Sequence, residues 1–187
     1  KNMKELCFET KRLIIRPLNN HDYESWLAGF LNREKSKSKY DKGYMDMSGY
    51  NKEWFKKIVA KHKKLIESDD KYIFSIFDKY GNHLGMINII TIERDNFQWG
   101  ECGYFIHNQL WRKGYASEAM IELIKQAKKT LGFHRLEAHV NLDNVPSFKL
   151  LEKIGFKYEC TREGFIFEFG EWTDNYIYYI NLHNDKL

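Results

Sequence analysis

The stretch Arg112-Lys113-Gly114-Tyr115-Ala116-Ser117 places two cations ahead of a glycine and two small residues, where an amphipathic helix is expected to begin. The chemistry of that pattern is anion binding. A helix start leaves backbone N–H groups unpaired and carries a partial positive charge, so it attracts phosphate. Gly114 permits close approach of an anion, and Ala116 and Ser117 keep the mouth clear. The spacing is not G-x-x-x-x-G-K-[ST], and no G-x-G-x-x-G occurs, which excludes Walker-type and Rossmann nucleotide loops. Taken alone, the stretch is equally compatible with a glycine turn that carries two solvated cations. The seven histidines show no H-E-x-x-H or similar spacing, so no metal site is expected.

The elements that must position this stretch follow from periodicity. Residues 12–18, RLIIRPL, read as a short β-branched strand ended by Pro17. A helix follows with Tyr23, Trp26, Leu27 and Phe30 at helical spacing. Residues 32–50 are polar and mixed, with Lys35, Lys37, Lys39 and Lys42 among the aromatics Tyr40, Tyr44 and Tyr50, and their pattern fits either a long loop or a broken helix. NKEWFKKIVAKHKKLIE resumes a helix with Trp54, Ile58 and Leu65 in its apolar stripe. Three strands are expected next, in KYIFSIFDK, HLGMINIITIER and FQWGECGYFIH. Turns are expected at 79–83, with Gly-Asn hairpin chemistry, and at 94–97.

A helix over 114–131 sets Ala116, Ala119, Met120, Leu123, Ile124, Ala127 and Leu131 on one side, and Gly132 ends it. After the strand HRLEAHVNL comes a helix with Asn144 as N-cap, Pro146 in its first turn and Gly155 at its stop. Two aromatic strands, 156–169 and 171–182, close the chain. The order is mixed α/β, with helices crossing between strands. At 187 residues this is expected to be one domain, 1–187.

Hydrophobic residues at 43% and charged residues at 30% are ordinary for a globular protein. The formal net charge of +4 hints at an anionic ligand, but the cations are interspersed with acids, so nucleic-acid binding is not expected. Cys7, Cys102 and Cys160 are odd in number and far apart, which argues against a disulfide framework and suits a reducing compartment. No apolar run approaches the ~20 residues needed to span a bilayer, and no signal peptide opens the chain. A cytoplasmic protein is expected, without a membrane partner. The aromatic strand NYIYYINL, taken as exposed, would permit a homodimer.

The run ECGYFIHNQLWRKGYASEAM, followed by HVNLDNVPSFKLLEKIGF, resembles the GCN5-related N-acetyltransferases. Within them it is similar to the RimJ/RimL-like ribosomal-protein N-terminal acetyltransferases. The family's acetyl-CoA loop, Q/R-x-x-G-x-G/A, is matched by Trp111-Arg112-Lys113-Gly114-Tyr115-Ala116, with Trp111 the departure, a variant the RimJ/RimL group tolerates. N-x-x-S and EK-x-GF are matched by Asn144, Ser147, Glu152, Lys153, Gly155 and Phe156. T-x-R-L-x-I-R-P-L is matched by Thr10 to Leu18. The resemblance implies an α/β (α+β) fold. Its mixed, mostly antiparallel twisted sheet would have about seven strands and helices on both faces, the fourth and fifth splaying to admit acetyl-CoA. Pantetheine would pair with backbone groups near Tyr104, Phe105 and Ile106. The pyrophosphate would sit on the N–H groups of residues 112–117, whatever side chain Trp111 contributes.

Acetyl transfer to an amine needs a neutral amine, alignment, an oxyanion donor and a proton for the departing thiolate. Alignment of both substrates supplies much of the rate, and a backbone N–H near Phe105 or Ile106 would stabilise the oxyanion. The resemblance puts Glu101 at the position of the family's fourth-strand glutamate, the candidate base. It precedes Phe105 by four residues, about 13 Å along an extended strand, so it would act through water; the plain alternative is a solvated glutamate. Where many relatives have a tyrosine as acid, this chain has Leu151. Ser147 is the alternative for the thiolate, and Asn144 would hold pantetheine, although both also suit helix capping. Tyr104 and Tyr115 are reserve donors. His107 and His139 flank the expected cleft in core or surface roles.

Glu159, Glu163, Glu168, Glu171 and Asp174 against Arg162 could form an acidic rim for a cationic amine, or a charged edge that blocks aggregation. The acceptor implied is a primary amine, either a protein N-terminus or a small molecule such as an aminoglycoside, polyamine or amino-acid derivative. The missing tyrosine leaves a non-catalytic acyl-CoA-binding module as a third reading.

Overall fold

The computed structural model describes residues 2–183. Its strands are β1 (Phe8–Glu9), β2 (Leu13–Arg16), β3 (Lys71–Asp78), β4 (His83–Glu93), β5 (Trp99–Ile106), β6 (Arg135–Asn141), β7 (Lys157–Glu168) and β8 (Glu171–Asn181). The helices are α1 (Tyr23–Leu31), α2 (Lys52–Glu67), α3 (Tyr115–Lys129) and α4 (Val145–Lys153). The strands form one mostly antiparallel sheet in the order β1-β2-β3-β4-β5-β6-β8-β7. There are eight strands rather than about seven. The addition is β1, whose two residues are too short to leave a periodic signal, and the strand expected as fourth is therefore β5. The chain divides into two compact units, Lys1–Ile90 with Gly103–Leu123, and Thr91–Cys102 with Ile124–Leu187.

In the first unit β3 is buried on both faces from Tyr72 to Phe77, pairing antiparallel with β2 and β4. The β3–β4 hairpin closes where expected, with Gly81 at φ 88°. The sequence reading missed Asp78, whose Oδ1 accepts the N–H groups of Tyr80 and Asn82, both at 2.9 Å. α2 begins at Asn51, whose side chain accepts the Trp54 N–H at 2.9 Å. Its most deeply buried residues are Phe55 and Ile66, beside the expected Trp54, Ile58 and Leu65. Trp26, Phe55, Phe77, Leu18 and Met47 make an aromatic-rich core cluster.

Residues 32–50 contain turns and bends but no helix. They are held from a distance. The fully buried Asn108 accepts the Glu34 N–H at 2.7 Å and donates to the Glu34 carbonyl at 2.8 Å, the Lys35 carbonyl at 3.3 Å and Asp41 Oδ2 at 3.0 Å. Beside it runs a buried polar chain. Arg33 Nε donates to His107 Nδ1 at 3.0 Å, His107 Nε2 meets His83 Nδ1 at 2.9 Å, and His83 Nε2 meets Ser75 Oγ at 3.0 Å. His107 is thus a core residue with no exposed surface. Gly29 packs so closely that a Cβ there would lie 2.4 Å from His107 Nε2.

In the second unit β5 and β6 run parallel, with Trp99 opposite Arg135, Gly100 opposite Leu136 and Glu101 opposite Glu137. β8 pairs antiparallel with both β6 and β7. This overturns the expected exposure of NYIYYINL. The last strand inserts between β6 and β7, burying Asn175, Ile177 and Tyr178. Exposed aromatics lie instead near the β7–β8 turn, at Phe167, Phe169 and Trp172, and at Tyr158 and Phe97.

Candidate active site

The stretch expected to bind an anion, residues 112–117, belongs to the first unit. A short 3-10 turn, Asn108–Leu110, leads to Trp111, after which Arg112 (φ 64°) and Gly114 (φ 78°) both adopt left-handed backbone. α3 then begins at Tyr115, and its first helical bond runs from the Glu118 N–H to the Gly114 carbonyl at 3.1 Å. The N–H groups of Tyr115, Ala116 and Ser117 precede that bond and have no partner within the helix. Arg112, Lys113 and Gly114 are exposed. A glycine at a left-handed position before a helix start suits an anion at the backbone.

Trp111 has a structural task. Its indole Nε1 donates to the Ile106 carbonyl at 2.8 Å, fastening the loop to the end of β5. A glutamine or arginine there is therefore not needed to shape the turn. The same bond occupies one acceptor site of Ile106, a residue expected to face pantetheine. Tyr104 and Phe105, the other two, are half-buried in the same unit.

The sequence reading matched Thr10 and Arg12 to the family's opening motif without finding their role. Arg12 Nε donates to Glu118 Oε1 at 2.8 Å, its Nη1 donates to the Lys113 carbonyl at 2.8 Å, and its guanidinium lies 4.5 Å from the centre of the Tyr115 ring. Thr10 Oγ1 donates to Glu118 Oε2 at 2.7 Å. Burial works to raise the Glu118 carboxyl, yet the bonds from Thr10 and Arg12 outweigh it and hold it below the usual range. The opening motif is thus a brace for the first turn of α3. Arg12→Met is expected to raise the KM for acetyl-CoA on the order of tenfold, the scale of a lost charge-assisted hydrogen bond, with a smaller effect on kcat. Steady-state kinetics at saturating amine would check it, and an unchanged KM would remove the brace from function.

Glu101, Asn144 and Ser147 belong to the second unit. Glu101 is not a freely solvated glutamate, since its Oε1 lies 3.3 Å from His139 Nδ1. His139 Nε2 in turn lies 2.9 Å from Oε1 of Glu137, whose side chain is 1% exposed. Arg162 Nη2 (3.0 Å) and Trp99 Nε1 (3.1 Å) also reach the Glu137 carboxylate. Burial tends to raise the Glu137 carboxyl, but the bond from His139 and the charges of Arg162 and Arg135 bring it below the ordinary value.

Asn144 occupies the N-cap position of α4 but makes no capping bond through its side chain, contrary to the expected cap. With ψ at 67°, its backbone accepts the Ser147 and Phe148 N–H groups instead, leaving the side-chain amide uncommitted to the helix. Among the described residues the Ser147 hydroxyl has no hydrogen-bond partner. Leu151, at the position of the absent tyrosine, is 2% exposed and belongs to the core. The expected acidic rim is partly spent: Glu159 pairs with Arg135, Glu168 bonds Asn141 and Thr173, and Asp174 accepts the Gly164 N–H. No group of three or more potential metal ligands occurs among the described residues.

A sequence profile described as "Acetyltransferase (GNAT) domain" matches residues 12–157. The probable N-acetyltransferase YjcK of Bacillus subtilis is 30% identical over 138 residues, covering 73% of this chain and 76% of that protein. In fold, the chain is similar to Mycobacterium smegmatis RimJ in complex with CoA-disulfide, with a TM-score of 0.75 at 20% identity over 90% of this chain and 81% of that one. It is also similar to a chimera of the spermidine N-acetyltransferase SpeG from Vibrio cholerae and hSSAT, with a TM-score of 0.69 at 22% identity over 91% and 95% of the two chains.

Proposed function

Since the chain belongs to the GNAT family of acetyltransferases, enzymes that use acetyl-CoA as donor, we propose that it acetylates the α-amine of protein N-termini by direct transfer in a ternary complex. The observation that carries this reading is the left-handed Arg112 and Gly114 ahead of the α3 start, braced by Arg12. That backbone suits a pyrophosphate, which the N–H groups of residues 112–117 would hold. Tyr104, Phe105 and Ile106 would line pantetheine; Asn144, whose amide is not spent on capping, is a separate candidate to hold it. Ser147 would protonate the departing thiolate, a role its unpartnered hydroxyl leaves open. Glu101 would take the proton of the incoming amine.

The acceptor follows from two considerations. An α-amine has a pKa near 8, against about 10.4 for lysine, so it needs less help from a base. Three of the five acids that could attract a polycation are engaged by their own neighbours. The second reading, a small-molecule amine acceptor, is supported by the fold likeness to a spermidine acetyltransferase. The profile spans both compact units, which supports reading 1–187 as one acetyltransferase domain. Among the described residues no helix is long and apolar enough to cross a membrane, and the three free cysteines suit a cytoplasmic location.

A thiol-release assay separates the readings. CoA should appear with peptides bearing a free N-terminal amine and not with the same peptides blocked there but containing lysine. Turnover of spermidine or an aminoglycoside in preference to peptides would replace the acceptor. Acetyl-CoA binding without CoA release for any amine would indicate a non-catalytic acyl-CoA-binding module.

A further inference from the structure

His139 stands between two carboxylates. The parallel register sets Glu101 on β5 directly beside Glu137 on β6, and His139, two residues further along β6, shares their face. Its Nε2 lies 2.9 Å from Glu137 Oε1 and its Nδ1 lies 3.3 Å from Glu101 Oε1. The ring meets Phe165 edge-on, with centroids 5.0 Å apart, and is 10% exposed, whereas Glu101 is 32% exposed. The remaining charges are Arg162 and Arg135 on Glu137, at 3.0 and 3.5 Å, and Glu159 on Arg135.

These contacts define the proton inventory. Glu137 is ionised, with Trp99 donating to it and two guanidiniums paired with it, so Nε2 of His139 carries a hydrogen. A neutral ring then turns the Nδ1 lone pair toward the Glu101 carboxylate, and one proton between them converts that repulsion into a charge-assisted bond. Glu101, Glu137 and Glu159 face only two guanidiniums, so one negative charge in the cluster is unbalanced until the imidazole is protonated.

We propose that Glu101 and His139 act as one proton-accepting pair, with His139 as the positioning residue that holds the proton drawn from the substrate ammonium through Glu101. The inference rests on the proposed acetyltransferase reading and deepens it. An ammonium R–NH3+ gives one proton through Glu101 to His139 Nδ1, leaving R–NH2. The amine lone pair forms the N–C bond, and the C–S bond breaks with its electron pair leaving on sulfur. That sulfur takes the proton of Ser147, whose hydroxyl takes up the second nitrogen-bound proton, giving CoA thiol and amide. The imidazolium then returns its proton to solvent. Buried Glu137 fixes the ring, which leaves only Nδ1 to exchange.

The test compares wild type, His139→Asn and Glu101→Gln across pH 5–9, following kcat and KM for both substrates. His139→Asn is expected to lower kcat about 10- to 100-fold at pH 7, the scale of general-base effects. The KM for acetyl-CoA should stay within about twofold, and the rising limb of the pH profile should move at least one unit toward acid, because a lone carboxylate is then the base. A purely structural histidine would not move that limb; a variant with wild-type kcat and limb overturns the pair. Ring-nitrogen NMR of His139 gives a readout independent of turnover and of variant folding at position 139. The Nδ1 resonance should change in Glu101→Gln as its carboxylate partner is lost, and an unchanged Nδ1 resonance also overturns the pair. Failure of wild type to release CoA with any amine would instead sink the function, leaving the NMR result to judge the pair.

Discussion

Replacing Gly114 with valine is expected to raise the KM for acetyl-CoA about 10- to 100-fold, while thermal unfolding changes little. The two effects separate because of where Gly114 sits. It is exposed, and a Cβ there would meet only the end of the Arg12 side chain, with Nη2 at 3.4 Å. Space is therefore not the obstacle. The obstacle is φ at 78°, which a β-branched residue adopts at a cost of about 1–3 kcal/mol. Relief comes by moving the peptide away from left-handed geometry, which turns aside the amides assigned to pyrophosphate. A loss of that size in binding corresponds to about one to two decades in affinity. Arg112→Gly is the complementary case, since φ at 64° already strains an arginine there. It should leave the loop intact and remove only a solvated cation. Isothermal titration with CoA measures both variants, and wild-type affinity in Gly114→Val would detach the loop from its assigned ligand.

The second large effect is on stability. Burial, with the neighbouring charges of His83 and Arg33, pushes His107 down to about 2. Burial likewise brings His83 down to about 3, against an opposing pull from Asp22. Geometry gives the same answer: Arg33 donates to His107 Nδ1, so the neutral ring must donate to His83, and His83 to Ser75. Protonating either ring would place two donors face to face. Both folded values lie below the unfolded value near 6.5, so the unfolded chain binds more protons between them. This contribution is complete above pH 6.5 and lost as pH falls, at up to about 1.4 kcal/mol per histidine per unit.

From pH 7 to pH 5 the two histidines together should cost about 4 kcal/mol. His62, brought down to about 4 mainly by burial, adds a nearly equal share over the same interval. The depressed carboxylates Glu118, Glu137 and Asp41 keep their stabilising effect until the pH falls below the unfolded carboxylate range. The interval from pH 5 to 6.5 therefore reports the histidines alone. Urea unfolding across that interval checks the slope, and a flat profile would mean that the rings are solvated or charged in the folded protein.

What could be read in advance divides along physical lines. α3 and the β3–β4 hairpin were legible because each is long, periodic and bounded by glycine chemistry at Gly132 and Gly81. The turn ahead of α3 was legible in its backbone geometry because Gly114 marks a left-handed position. What escaped depends on pairs distant in sequence. Nothing near Arg12 announces Glu118, 106 positions later, and nothing near Glu101 announces Glu137 until β5 and β6 are known to run parallel in that register. The exposure of residues 175–182 was misjudged for the same reason: chain order does not reveal that β8 lies inside β7. The indecision over 32–50 was also physical, because the order of that segment is supplied by Asn108.

The grip of Asn108 carries a further consequence for how such a protein can change. At Glu34 and Lys35 its side-chain amide reads the peptide groups themselves; it engages a side chain at Asp41, and its own carbonyl accepts from Lys37 Nζ at 2.9 Å. An anchor that reads backbone is indifferent to the residue types it secures. Substitutions at 34 and 35 can therefore accumulate without releasing that grip, whereas Lys37, bonded to the Asn108 carbonyl and set over the Trp111 ring, ties its own side chain to the loop. Such an arrangement separates what must stay constant from what is free to diversify. One amide holds a surface open to variation, next to a loop whose geometry tolerates almost none.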